Sequence, residues 1–281
     1  MAAQRIKISK NCIVCGDTTH DYFCTKQGHD LYKCSSCKML SLYPMPTTTE
    51  ALYAEDYFNG ASLGYGYTDY DENKEPMREV FKDYLDLIER HTQRKGLILD
   101  VGAATGFFMV IAEKLGWKTR GVEISKYASN IARKKNLDVI NGTITNMNVT
   151  DPMFDVVTMW DVLEHMPDPI TDLKRACHLL KKDGLIVLNT PDSGSLYANL
   201  LGKRWHLIIP PEHINYFNNE SIAKVFDMCG FDIVSITRIG KKFTLEYIFL
   251  MLFKWLDWRV LRSALSFLRN NKGLGQISIP I

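Results

Sequence analysis

Gly96-Leu97-Ile98-Leu99-Asp100-Val101-Gly102-Ala103-Ala104-Thr105-Gly106-Phe107-Phe108 decides the fold of this chain. Leu97 to Val101 is a short apolar run, the pattern of a buried parallel strand. It ends in a turn of small residues, and Phe107 to Leu115 then reads as a helix. Strand, tight turn and helix is the arrangement that cradles a nucleotide. Roughly 20 residues after the first glycine, Gly121-Val122-Glu123-Ile124-Ser125 reads as a second strand ending in an acid. An acid in that place accepts the hydroxyls of a ribose.

The turn is not that of a dinucleotide site. Gly102 is followed by Ala104 and Gly106, so the G-x-G-x-x-G spacing fails. Asp100 at the strand end would repel a pyrophosphate and attract an ammonium or sulfonium group. S-adenosylmethionine has a ribose, a cationic methionyl end and no phosphate, and it fits both acids.

With these residues the chain resembles the class I S-adenosylmethionine-dependent methyltransferases. Their pattern after the first strand is acid-x-Gly-x-Gly-x-Gly, matched here by Asp100, Gly102 and Gly106, with Ala104 in place of the middle glycine. The resemblance runs over roughly residues 95 to 240. Glu123 fits the ribose-binding acid. Asn141-Gly142-Thr143-Ile144 follows the third strand, with Thr143 where the family has an acid near adenine. Phe154 to His165 fits the fourth strand and its loop, and Gly184 to Pro191 fits the fifth. Phe231 to Ile239 is expected as a sixth strand, whose antiparallel neighbour is either supplied by Gln276 to Ile281 or truncated.

The resemblance implies an α/β, Rossmann-like doubly wound methyltransferase sheet. It implies a donor site of Asp100, Gly102, Ala103, Ala104, Thr105, Gly106, Phe108, Glu123, Ile124, Thr143, Ile144, Asp161 and Val162.

Two histidines are candidate bases, since histidine alone titrates near neutral pH without large perturbation. His165 closes the fourth-strand segment Trp160-Asp161-Val162-Leu163-Glu164-His165. No Asn/Asp-Pro-Pro-aromatic motif stands there, which disfavours methylation of a nucleobase amine. His213 lies in the proline-led stretch Ile209-Pro210-Pro211-Glu212-His213-Ile214-Asn215-Tyr216-Phe217. Glu212 is the expected partner of an imidazole, although adjacent residues on an extended chain point oppositely.

Cys12-Ile13-Val14-Cys15 and Cys34-Ser35-Ser36-Cys37 are two C-x2-C pairs at zinc-ribbon spacing. Cys12, Cys15, Cys34 and Cys37 are expected to hold one structural Zn2+, closed to chemistry by four sulfurs. Gly16 suits a knuckle turn, and the second knuckle has Lys38 instead. The order along the chain is then a ribbon over 1–45, a linker and helical lid over 46–92, the methyltransferase domain over 93–240 and a helical extension over 241–281. The lid rests on the Gly/Tyr-rich stretch from Tyr57 to Tyr70. Ribbon, domain and Glu-His loop together are similar to the sugar C-methyltransferases and to methyltransferases of polysaccharide and secondary-metabolite pathways. The fourth-strand loop is equally similar to quinone O-methyltransferases.

Composition limits the partners. A chain of 281 residues that is 46% hydrophobic is neither disordered nor low in complexity. The net charge of +2 argues against a general nucleic-acid binder, and Lys26, Lys33 and Lys38 in the ribbon are balanced by Asp17, Asp21 and Asp30. From Lys241 onwards, with that residue counted, seven basic residues stand against two acids, a surplus of five. Phe243 to Arg269 is apolar and basic, which suits amphipathic helices packed on the sheet or resting on a membrane surface. No basic patch with an apolar run opens the chain, so a cytoplasmic setting, free or membrane-peripheral, is expected. The expected substrate is a small hydroxylated or keto acceptor. An RNA-modifying enzyme and a non-catalytic partner subunit are the alternatives.

Overall fold

The computed structural model describes residues 5–7, 11–59, 70–237, 241–244 and 276–279. Four strands open the chain as an antiparallel meander: β1 (Arg5–Lys7), β2 (Thr19–Lys26), β3 (His29–Cys34) and β4 (Leu40–Tyr43). One cysteine pair precedes β2 and the other spans the turn from β3 to β4, so the hairpin brings the two pairs together. Leu31, Leu40 and Leu42 are buried beneath the meander.

A short 3-10 turn (Glu50–Tyr53) leads to α1 (Glu55–Asn59), α2 (Tyr70–Lys74) and α3 (Arg78–Thr92). α3 buries Val80, Phe81, Tyr84, Leu85 and Ile88, an apolar stripe at helical spacing. It stops at Gln93, whose left-handed φ of 56° returns its N–H to the Glu89 carbonyl.

The central layer alternates β5 (Leu97–Val101), α4 (Phe107–Lys114), β6 (Lys118–Glu123), α5 (Lys126–Lys134), β7 (Val139–Asn141), β8 (Phe154–Trp160), α6 (Pro169–Leu179) and β9 (Leu180–Asn189). Its strands are parallel in the order β7-β6-β5-β8-β9. Ser125 and Asp168 start α5 and α6 by accepting the N–H groups of Ala128 and Thr171. Leu99, Val157 and Met159 face α6, whereas Ile98 and Val156 face α3 and α4. Strands buried on both faces explain their unbroken apolar runs. This is the expected doubly wound α/β sheet. The chain reverses direction about β5, so the ligand crevice lies outside the carboxyl ends of β5 and β8.

After β9 come α7 (Leu196–Leu201), β10 (Asn215–Tyr216) and α8 (Asn219–Met228). β10 joins the ribbon, pairing antiparallel with β4 through Ser41–Asn215 and Leu40–Tyr216. The ribbon sheet therefore ends on a strand from the far side of the chain.

The expected sixth strand is corrected. Residues 231–237 form no strand, and Ile233, Val234 and Ile236 are 41%, 64% and 57% exposed. Apolar alternation sets a face for burial, but a strand also needs a neighbour to bond. Gln276–Ile279 (β12) does pair antiparallel, with Lys241–Thr244 (β11), in a sheet of two strands. Residues 245–275, and with them most of the expected helical extension, lie outside the described residues. Among the described residues no helix is long and apolar enough to cross a membrane.

Candidate functional site

The turn after β5 is left-handed at three positions, with φ of 74° at Gly102, 49° at Ala104 and 80° at Gly106. A side chain on Gly102 would meet Val162 Cγ2 at 2.5 Å, so only glycine lets β5 end against the loop after β8. Glu123, 5% exposed, braces the turn from β6. Its Oε2 accepts the Ala104 N–H at 2.8 Å and its Oε1 accepts the Ser125 N–H at 2.7 Å. Each oxygen keeps a second lone pair for a hydroxyl. Asp100, 2% exposed, accepts the Thr158 hydroxyl at 2.8 Å. Burial pushes its pKa up to about 7, against the opposing Thr158 bond, and burial also raises Glu123. Two buried acids flanking a small-residue turn fit a cationic, ribose-bearing ligand.

α1 and α2 lie over this turn. Asp71 accepts hydrogen bonds from the Thr105 hydroxyl and from Lys135, and Lys74 stands 3.8 Å from Asp161. Phe58 packs with Ala104 and Ala128. These helices flank the expected lid stretch, of which Gly60 to Asp69 lie outside the described residues.

The other expected donor-site residues divide into two groups. Asp161 has a left-handed φ of 56°, donates its N–H to Asn189 Oδ1 at 2.7 Å and accepts from Asn189 Nδ2 at 2.9 Å. The Ile124 carbonyl accepts from Asn141 Nδ2 at 2.9 Å. Thr143 caps a 3-10 turn and gives its hydroxyl proton to Asn146 Oδ1 at 2.6 Å, while Ile144 is buried. Ala103 is buried with Met109 and Val139. Phe108 places its ring in the aromatic core, 5.3 Å from Phe81 and 5.2 Å from Trp160 between ring centres. One residue into α4, its direction is set by the buried face of the helix.

The second half of the site is a cluster of Glu164, His165 and His213. Leu163–His165 is a 3-10 turn directly after β8. Glu164 Oε1 lies 3.9 Å from His165 Nε2 and 4.0 Å from His213 Nε2. Glu164 Oε2 accepts the Thr190 hydroxyl at 2.9 Å, which fixes the carboxylate plane. His165 Nδ1 contacts the Glu212 carbonyl at 2.7 Å, and His213 Nδ1 contacts the Leu207 carbonyl at 2.9 Å. A carbonyl only accepts, so the network assigns a proton to Nδ1 in both rings. Both Nε2 atoms thus face one carboxylate oxygen.

Glu164 supplies the carboxylate beside the imidazoles, and Glu212 meets His165 through its backbone. Glu164 stands next to His165 in sequence, but its contact with His213 joins two separate loops and has no local signal.

The four expected cysteines are brought together. Cys12 and Cys37 sulfurs are 3.5 Å apart, Cys15 and Cys34 are 3.4 Å apart, and all four lie within 4.8 Å of one another. Tetrahedral zinc with bonds near 2.3 Å separates its sulfurs by about 3.8 Å, so the set fits that ion. The Cys37 thiol holds the Cys12 pKa down to about 5. The knuckles are alike in backbone: Gly16 and Lys38 have φ of 73° and 61° and return their N–H groups to Cys12 and Cys34. Cys24 is buried elsewhere, with Leu31 and Trp205.

Comparison with known proteins agrees with this geometry. The model of a family described as a methyltransferase domain matches residues 73–236. A ubiquinone biosynthesis O-methyltransferase of Chromobacterium violaceum is 30% identical over 195 residues, 64% of this chain and 84% of that protein. The enzyme of the same name from Nitrosospira multiformis is 25% identical over 199 residues, 63% and 83% of the two chains. Magnesium protoporphyrin IX methyltransferase from Synechocystis PCC 6803, solved with bound SAH, is similar at a TM-score of 0.50 and 16% identity. That match covers 65% of this chain and 90% of the other, and it speaks to the fold alone. The family match spans the turn, both buried acids and the Glu164 cluster. The chain belongs to the methyltransferase-domain family, as a class I S-adenosylmethionine-dependent methyltransferase.

Proposed function

We propose that this methyltransferase acts on a hydroxyl oxygen or an enolisable carbon of a small, lipophilic acceptor, of the quinone or lipid-linked sugar class. The observation that carries the reading is the meeting of Glu164, His165 and His213 at the carboxyl end of β8, beside the turn.

S-adenosylmethionine supplies an electrophilic methyl group on a sulfonium. Asp100, as a carboxylate, holds the cationic end, and Glu123 offers its remaining lone pairs to the ribose. The backbone of Gly102, Ala103, Ala104, Thr105 and Gly106 lines the donor, with Ile124, Thr143 and Ile144 on the adenine side and Asp161 and Val162 on the acceptor side. His213 Nε2 takes the acceptor proton while its Nδ1–H stays on Leu207. Glu164 stabilises the imidazolium so formed, and His165 orients the acceptor. The tetrathiolate holds one structural Zn2+.

The acceptor class draws support from the quinone enzymes among the relatives and from α7. Leu196 and Leu200 are 87% and 83% exposed on that helix, and exposed Lys203 and Arg204 follow it. Between Ser195 and His206 there is no acid. Exposed leucines beside basic residues suit an anionic membrane surface, as does the basic, apolar stretch 243–269, and both support a membrane-peripheral setting.

A labelled-methyl transfer screen tests the proposal. Reduced quinols and lipid-linked sugars should accept the label in the presence of vesicles. Label that enters RNA alone would contradict it.

A further inference from the structure

The segment that carries His213 is held from two sides by different parts of the chain. On one side Leu42 of β4 donates its N–H to the Ile214 carbonyl at 2.9 Å, and the ribbon sheet continues into β10. On the other, Ile214 donates its N–H to the Glu164 carbonyl at 3.0 Å, and Asn215 Nδ2 donates to the Met166 carbonyl at 2.7 Å. Just beyond β10, Asn218 Nδ2 donates to the carbonyl of the cage residue Cys37 at 3.1 Å. Phe217 is buried in the same cluster as Cys12, Cys34, Cys37 and Met39.

β10 is two residues long, and a strand so short takes its place from its neighbours. One neighbour is the ribbon edge, which the cysteine cage pins at both knuckles. The other is the turn that carries Glu164 and His165. Asn215 is fully buried between them, and its Oδ1 has no hydrogen-bond partner among the described residues. Burying an unpaired carbonyl is unfavourable, so the amide is kept for what its Nδ2 joins. The donor turn hangs on other contacts: Gly102 N–H to Val122, Ala104 N–H to Glu123 and Thr105 to Asp71.

We propose that the ribbon sets the position of the base, with Asn215 as the positioning residue, while the turn from Gly102 to Gly106 is held by polar contacts of its own. The metal cage holds β4, β4 holds β10, and Asn215 locks β10 to the Glu164 turn. The ribbon is thus an acceptor-side element of the enzyme. The inference rests on the proposed role of His213, and its first readout needs no turnover.

Hydrogen–deuterium exchange on the full chain, before and after zinc removal with a chelator, tests it. Exchange in residues 209–217 should accelerate at least tenfold, with residues 97–106 unchanged and the calorimetric donor Kd within twofold. Zinc should restore the protection. Unchanged protection of 209–217, or donor affinity falling in parallel, overturns the proposal.

Asn215→Leu leaves the cage intact and covers the case in which zinc removal unfolds the chain. It should lower kcat at least tenfold with donor Kd unchanged, and wild-type kcat would overturn the role given to Asn215. If exchange responds as expected but no acceptor is methylated, the ribbon linkage stands and the proposed activity fails.

Discussion

Glu164 Oε1 lies 4.0 Å from His213 Nε2, across the gap between the loop after β8 and the segment before β10. In the proposed mechanism the two residues act together, although they belong to different loops. Removing the charge with Glu164→Gln should lower kcat about 100-fold or more while calorimetric donor affinity stays within twofold. His213→Ala should do the same, and Glu212→Gln should leave kcat within a few fold. Steady-state methyl transfer with a quinol acceptor checks all three.

Asp100 makes donor binding depend on pH. Its carboxyl is pushed up to about 7 by burial, from an ordinary 3.8. A buried acid of this kind weakens the donor-free fold as pH rises from about 4 to about 7, by at most about 1.4 kcal/mol per pH unit. A cationic donor prefers the carboxylate, so binding should strengthen as pH rises towards 7, release a proton below that value, and level off above it. Calorimetry in buffers of different ionisation enthalpy reads the proton. Asp100→Asn should bind weakly at every pH and show greater thermal stability at pH 8.

Ala104 carries a left-handed φ of 49° where a glycine would sit without strain. Ala104→Gly should raise stability by about 1 kcal/mol, seen as a higher Tm, with donor affinity kept. A lower Tm would mean that the methyl group packs better than the backbone strains.

The cage should hold about one zinc per chain by elemental analysis. Cys15→Ser, at the exposed corner, should lose the metal and lower the Tm by several degrees.

α7 gives a test of the acceptor class. The chain should co-sediment with vesicles containing phosphatidylglycerol and less with pure phosphatidylcholine. Leu196→Asp with Leu200→Asp should cut binding several-fold without changing donor affinity.

What was legible in the sequence is what is local or periodic. Leu97–Val101 followed by the glycine turn, Glu123 at the end of β6, and the two cysteine pairs all announce themselves within a few residues. Long-range partners do not. Asn215–Tyr216 is too short for any periodicity, so its pairing with Ser41 and Leu40 left no trace in the pattern. Glu212 stood next to His213 in sequence, yet the acid beside His213 comes from another loop. Phe231 to Ile239 has the composition of a strand, but 231–237 find no strand to pair with among the described residues.

Isothermal calorimetry of the purified chain with S-adenosylmethionine, run beside NAD as a competitor, is the most direct test of the donor site. One S-adenosylmethionine should bind per chain, displaced by S-adenosylhomocysteine, indifferent to NAD and lost in Asp100→Asn. Binding of NAD at the same turn, or undiminished S-adenosylmethionine binding in Asp100→Asn, would contradict it.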